Sequence, residues 1–285
     1  DWIIGRQSLI LHIPVTEEGS GAEEISYTIT PASGTAQNAT AKIENGLAKI
    51  TLSADWKGKI TDIKCTDAAG NVSDTKSITD AANGFIVEDN PPVITFTAAN
   101  MADPKNPRPG EALSENYYEE NAAPTVYVSV TDADDGGITA GIKDITYTIN
   151  SDAEKTVNGS FDTDLKGSYS FTISLTGKTG IVNITVKASD YAGNTAEKTV
   201  TVRIKEKEKK PDTKTDYRQE QFTGLTPGAA YAVNGETLSA DGQGCIAIGE
   251  EWFGNTIQII KKGTESTSDS DAAELAIARR PGIPS

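Results

Sequence analysis

The chain repeats itself, and that constrains it more than any other feature. Ile25-Ser-Tyr-Thr-Ile29 recurs as Ile145-Thr-Tyr-Thr-Ile149, 120 residues on, and Asp67-Ala-Ala-Gly-Asn71 recurs as Asp190-Tyr-Ala-Gly-Asn194 at an offset of 123. The offset of 123 also superposes Ile50 and Leu52 on Ile173 and Leu175, and Ile63 and Cys65 on Val186 and Ala188. Upstream, Val15-Thr16 pairs with Val130-Thr131 at 115, so the second copy carries its extra residues in the Asp132–Asp144 loop. Offsets that change only between apolar blocks are what one fold occurring twice gives, because loops tolerate insertion and packed strands do not.

Each copy is written in the period of strands. Leu9, Leu11, Ile13 and Val15 alternate with more polar neighbours, and so do Val126, Val128 and Val130. Asn45-Gly46 sits between two alternating runs, and Asn158-Gly159 lies between Thr156-Val157 and Phe161. Asn-Gly readily takes the left-handed conformation that both central positions of a type I′ hairpin require. No window sustains a 3.6-residue apolar period, so few and short helices are expected. The sequence predicts an all-β chain.

The order of these motifs resembles that of the bacterial Ig-like domains found in tandem on Gram-positive (Firmicutes) surface proteins. In them an acidic, Gly-containing loop precedes an x-Tyr-x-Ile strand, and Asp-x-Ala-Gly-Asn leads into the last strand. Here Glu17–Gly21 with Tyr27, and Asp132–Gly137 with Tyr147, carry the first element; Thr66–Asn71 and Ser189–Asn194 carry the second. The resemblance covers residues 1 to 204 and implies two tandem Ig-like β-sandwiches, 1–88 and 89–204. Only Trp2–Ile4 serves as a first strand in the first copy, against Pro92–Thr97 in the second, so the first sandwich is expected to be truncated at its N-terminus. The Asp of the repeated motif is expected to bond the amides of its own turn, a structural role.

The connector Val87-Glu-Asp-Asn-Pro-Pro-Val93 reads as short and stiff because of its two prolines. It resembles the acidic Asp-Asn-x-Pro linkers of cadherins, and that resemblance implies calcium. Glu88, Asp89 and Asn90 supply candidate hard-oxygen ligands, and either Asp132, Asp134 and Asp135 from the long loop or Glu17 and Glu18 could complete the shell. No other cofactor is expected.

After the second copy, residues 203–216 hold six basic and four acidic residues and almost nothing apolar. Such a segment cannot build a core, so 205–216 is expected to be a charged linker. Residues 217–285 are expected to fold as a small antiparallel β-meander or sandwich, with strands over Ala230–Val233, Thr237–Ala240, Cys245–Ile248, Thr256–Lys261 and Leu275–Ala278. Its Leu225-Thr-Pro-Gly-Ala-Ala-Tyr231 resembles the corner of fibronectin type III domains, and Glu250–Gly254 is similar to an element of short tandem repeats on surface proteins of gut Firmicutes.

Composition narrows function. With 26 Lys plus Arg against 41 Asp plus Glu the chain carries −15, which repels nucleic acid and anionic lipid. A Ser-His-Asp or Cys-His catalyst would have to use His12, the only histidine, and multi-His metal sites are excluded. No apolar run approaches the ~20 residues of a membrane helix. Cys65 and Cys245 are too few for a disulfide framework and are expected to lie in different domains. Adjacent acids such as Glu17/Glu18, Glu119/Glu120, Asp134/Asp135 and Glu250/Glu251 could serve a glycosidase, but adjacent strand residues face opposite sides. No enzyme is expected.

Two functional readings stand. In the first, the chain is a non-catalytic stalk or adhesin-type display module of an extracellular, cell-surface protein, monomeric and part of a longer polypeptide. In the second, it is a glycan- or protein-binding accessory module of a secreted carbohydrate-active enzyme, taking host or cell-wall partners through Tyr117, Tyr118 and Trp252. A binding module presents these rings as an exposed platform and a spacer buries them.

Overall fold

A computed structural model describes residues 1–132, 138–159 and 165–280. Among the described residues all regular structure is strand, apart from single 3-10 turns at Thr79–Ala81, Glu120–Ala122 and Glu250–Trp252. The chain is all-β, as its alternation requires.

The first copy comprises β1 (Trp2–Gly5), β2 (Ser8–Pro14), β3 (Ala22–Pro31), β4 (Gln37–Glu44), β5 (Leu47–Ser53), β6 (Trp56–Asp67) and β7 (Gly84–Val87), hydrogen-bonded in the order β1-β7-β6-β3-β4-β5-β2. β4 serves two layers: Gln37–Lys42 pairs with β3, whereas Ile43 and Glu44 pair with Ala48 and Leu47 of β5. The hairpin between them turns on Asn45 (φ 52°) and Gly46 (φ 75°), the two left-handed positions that Asn-Gly supplies. Ile25, Ile60 and Phe85 of one layer meet Ile50 and Leu52 of the other in a single buried cluster, with Leu9, Leu11 and Ile13 packed against it. His12 points out between them, paired across the ladder with Lys49. The short first strand runs parallel to β7, Trp2 opposite Gly84 and Gly5 opposite Val87.

The second copy comprises β8 (Val93–Asn100), β9 (Arg108–Pro109), β10 (Thr125–Thr131), β11 (Ile142–Ile149), β12 (Lys155–Thr156), β13 (Ser168–Ser174), β14 (Gly180–Asp190) and β15 (Thr195–Ile204). They form two four-stranded sheets, ordered β13-β10-β8-β9 and β12-β11-β14-β15. Val126, Val128 and Val130 of β10 are fully buried at every second position, as are Val182, Ile184 and Val186 of β14; in β11 a bulge between Ile142 and Asp144 spaces the buried Ile142 and Ile145 three apart. The second Asn-Gly hairpin runs into residues outside those described.

By compactness the chain divides into two units. One holds Asp1–Gly110, Tyr127–Thr172 and Ile184–Val200; the other holds Glu111–Val126, Ile173–Asn183 and Thr201–Ser285, so the division falls within β10, β13, β14 and β15.

In the second unit, β16 (Glu206–Lys207), β17 (Lys214–Asp216), β18 (Gln221–Thr223), β19 (Ala230–Val233), β20 (Glu236–Ser239), β21 (Ile246–Ala247), β22 (Thr256–Lys261), β23 (Thr267–Ser268) and β24 (Ala273–Ala276) follow. The sheets β17-β18-β21 and β20-β19-β22-β24 enclose Phe222, Tyr231, Val233, Trp252, Ile257 and Ile259. The charged stretch 205–216 is not a bare tether. Glu206 pairs with Thr267 and Lys214 with Thr223 through main-chain ladders, which need no apolar side chain. Glu208 adds an ion pair with Lys261 at 2.7 Å, the two side chains only 14% and 22% exposed.

Candidate functional site

Three carboxylates are buried together in the first unit. Glu88 is 0%, Asp132 1% and Asp190 0% exposed, and one ligand oxygen from each lies within 4.8 Å of the others. Each arrives from a different piece of chain. Glu88 follows the last residue of β7, where its amide donates to Gly5 O; Asp132 follows β10; Asp190 ends β14 opposite Ile142.

Asn194 holds them. Its Nδ2 donates to Asp190 Oδ2 at 2.8 Å, to Glu88 Oε2 at 3.1 Å and to the Glu88 carbonyl at 3.1 Å, while its amide donates to Asp190 Oδ1 at 2.8 Å. Asp132 Oδ2 accepts from Gly141 N at 2.7 Å and from the Thr139 hydroxyl, and Glu88 Oε1 accepts from Asn90 N at 2.5 Å. Two oxygens, Asp132 Oδ1 and Asn194 Oδ1, are buried with no hydrogen-bond partner. Among the described residues no Lys or Arg forms an ion pair with any of the three acids.

Electrostatics make this arrangement costly as it stands. Two like charges within 4.8 Å repel by about 3.5 kcal/mol or more at an effective dielectric near 20. Burial pushes the Glu88 carboxyl up to about 7, helped by the charges of Asp132 and Asp190 and opposed by the bond from Asn90 N. Burial also raises the Asp132 carboxyl, against the hydrogen bonds from Thr139 and Gly141.

The first copy supplies an internal comparison. The repeat offsets carry Asp132 onto Glu17, Asp190 onto Asp67 and Asn194 onto Asn71. The Gly-Asn turn is bonded in the same way, Asn71 N to Asp67 Oδ1 (2.7 Å) and Asn71 Nδ2 to Asp67 Oδ2 (2.9 Å), whereas Glu17 accepts from the nearer Gly19 N and Gly21 N (2.8 and 2.6 Å) of its own loop. Glu17, Gly70 and Asn71 are nevertheless exposed, and hydrogen bonds from Asn71 hold the Asp67 carboxyl below its ordinary range. The two copies differ in Glu88, which covers the second motif.

Of the sequence-derived candidates, Glu88 and Asp132 come together. Asp89 turns to Arg6 (3.2 Å), and the Asn90 side chain donates to Asp55 (3.3 Å), leaving only its amide at the cluster. Asp134 and Asp135 lie outside the described residues. Asp190 and Asn194, read from sequence as turn formers, were missed as members; the signal available was that the repeat brings the ends of the acidic loop and the Gly-Asn turn together.

The aromatic candidates are placed otherwise. Trp252 is 6% exposed and stacks on Phe222, centroids 6.0 Å apart. Tyr118 is half-buried; its hydroxyl accepts from Ser114 N at 2.8 Å and its backbone bridges Arg203 and Lys205. Tyr117 is likewise half-buried. The acidic pairs are dispersed into separate contacts, Glu119 with Lys205 (2.6 Å) and Glu250 with Arg280 (3.2 Å). Lys187 stands outward between Glu154 and Glu197, in a shallow open depression with Asp144. The Tyr231 hydroxyl accepts from Thr226 N at 2.8 Å, closing the corner over Pro227-Gly228.

Fold and geometry together define an all-β chain of tandem sandwiches with a buried acidic cluster. No protein-family model and no curated protein matches it. Among solved structures it is similar to the ICAM-5 D1–D4 ectodomain fragment (10% identity, 97% of this chain and 73% of that one, TM-score 0.42). It is also similar to a tetra-tandem repeat from the extending region of a large adhesion protein (15%, 96% and 71%, TM-score 0.37) and to a 1.5-MDa bacterial ice-binding adhesin structure concerned with host cell surface retention (14%, 97% and 94%, TM-score 0.30).

Proposed function

We propose that the chain is a non-catalytic, stalk or adhesin-type display segment of a Gram-positive cell-surface protein, working outside the cell by holding other parts of a longer polypeptide in place. One observation carries the reading: the largest ring a glycan platform would need is committed to packing. Trp252 lies buried in a core with Phe222, and the half-buried Tyr118 holds the Ser114 amide with its hydroxyl. Interlocked antiparallel ladders suit a load-bearing role, because β-sandwich cores are close-packed and resist deformation. The motif resemblance to surface Ig-like domains supports the location.

A glycan array and a panel of chromogenic glycosides test this on the whole chain. The display reading predicts no saturable binding and no turnover. Saturable glycan binding that Tyr117→Ala abolishes without changing the circular dichroism spectrum would overturn it in favour of an accessory binding module.

A further inference from the structure

We propose that Glu88, Asp132, Asp190 and Asn194 form a site for a hard divalent cation of the calcium class, one that fastens the connector between the two copies. The first support is the burial of three acids with no Lys or Arg among the described residues to balance them. Buried carboxylates persist when they are paired, protonated or bound to a metal. The second support is independent of charge. Asp132 Oδ1 and Asn194 Oδ1, on residues 1% and 0% exposed, have no partner, though buried polar atoms nearly always find one.

The donor set is all oxygen. Glu88 Oε2 and the Glu88 carbonyl, Asp132 Oδ1, Asp190 Oδ2 and the amide oxygen of Asn194 give up to five ligands, and water supplies the balance of the six to eight that calcium takes. Oxygens about 2.4 Å from a central ion span up to about 4.8 Å across it, which accommodates the observed spread. A half-turn of the Asn194 amide exchanges its Nδ2, which now faces Glu88 and Asp190, for its oxygen. In the metal-free chain the amide N–H groups thus occupy the position a cation would take.

Glu88 and Asn194 are 106 positions apart and already hydrogen-bonded, and an ion held by both ties the connector more firmly to the last turn of the second copy. The first copy keeps the same Asp and Asn but is solvated, so it serves as the control.

Calorimetric titration of the chelator-treated full chain with calcium chloride, and separately with magnesium chloride, tests the proposal. One calcium per chain is expected, with a dissociation constant on the order of 1 mM or tighter and weaker binding of magnesium. Asp190→Asn and Glu88→Gln are each expected to weaken calcium by about tenfold or more, whereas Asp67→Asn leaves it unchanged. Should a variant fail to fold, the wild-type melting temperature decides, because calcium is expected to raise it. No heat and no melting shift at millimolar calcium would overturn the proposal. So would a calcium affinity unchanged by Asp190→Asn, or one lost with Asp67→Asn.

Discussion

The duplicated Asp-x-x-Gly-Asn turn allows one substitution to be made twice in the same chain, with burial as the variable. Asn194→Ala removes three Nδ2 bonds, all to acceptors inside a buried cluster, and Asn71→Ala removes one that is exposed. A hydrogen bond to a charged acceptor contributes about 1.5–3 kcal/mol, and leaving buried carboxylate oxygens unpaired costs more than leaving exposed ones. Because the three bonds share one amide they do not add, so the expected loss for Asn194→Ala is about 3 kcal/mol. For Asn71→Ala it is below about 1 kcal/mol, since water replaces the lost partner. Hydrogen exchange followed by mass spectrometry, in chelator at pH 7, reads each copy separately. The protected amides of β14 report the first substitution and those of β6 the second. Equal losses, or a larger loss in the first copy, would refute the argument that burial by Glu88 is what distinguishes the two turns.

Other outcomes follow from the same geometry. Without divalent cations, Glu88 keeps its proton up to about pH 7 in the folded chain but releases it near 4.5 when unfolded, so the folded state binds more protons in that window. Stability therefore falls as pH rises from about 4.5 to 7, by at most about 3 kcal/mol, and Glu88→Gln flattens the slope in chemical denaturation series. Tyr231→Phe removes the acceptor for Thr226 N and is expected to cost about 1 kcal/mol in urea unfolding, followed by Trp252 fluorescence in a chain whose Trp2 and Trp56 are replaced by Phe. Gly244→Ala is expected to cost more than about 2 kcal/mol in the same assay: φ is +76° and an added Cβ would lie 2.2 Å from Leu225 O. Trp252→Ala removes a ring packed among Phe222 and its neighbours and should cost about 3–5 kcal/mol by thermal unfolding.

What the sequence made legible was whatever local chemistry decides. Asn45-Gly46 names its own turn, and strands β19 and β22 fall on Ala230–Val233 and Thr256–Lys261 as the alternation predicts, since one face of each is buried. Long-range pairing was not legible. Nothing in Trp2–Gly5 announces a parallel partner at Gly84–Val87, and the ladders that recruit Glu206 and Lys214 are made by main chain, on which the charged composition of 205–216 is silent. The cluster was half readable. Glu88 and Asp132 stand out as acids beside a proline connector and a long loop, but Asp190 and Asn194 have the same local motif as half-buried Asp67 and exposed Asn71. Only the fold brings Glu88 over one motif and not the other.

The most direct measurement is a crystal structure of the chelator-stripped chain soaked in millimolar calcium at neutral pH, with anomalous scattering to identify the ion. The account predicts a single calcium peak enclosed by Glu88, Asp132 and Asp190, with ligand oxygens about 2.3–2.6 Å away and the Asn194 amide oxygen turned toward it. Carboxyls hydrogen-bonded to one another around the Asn194 N–H groups, with no anomalous peak between them, would contradict it.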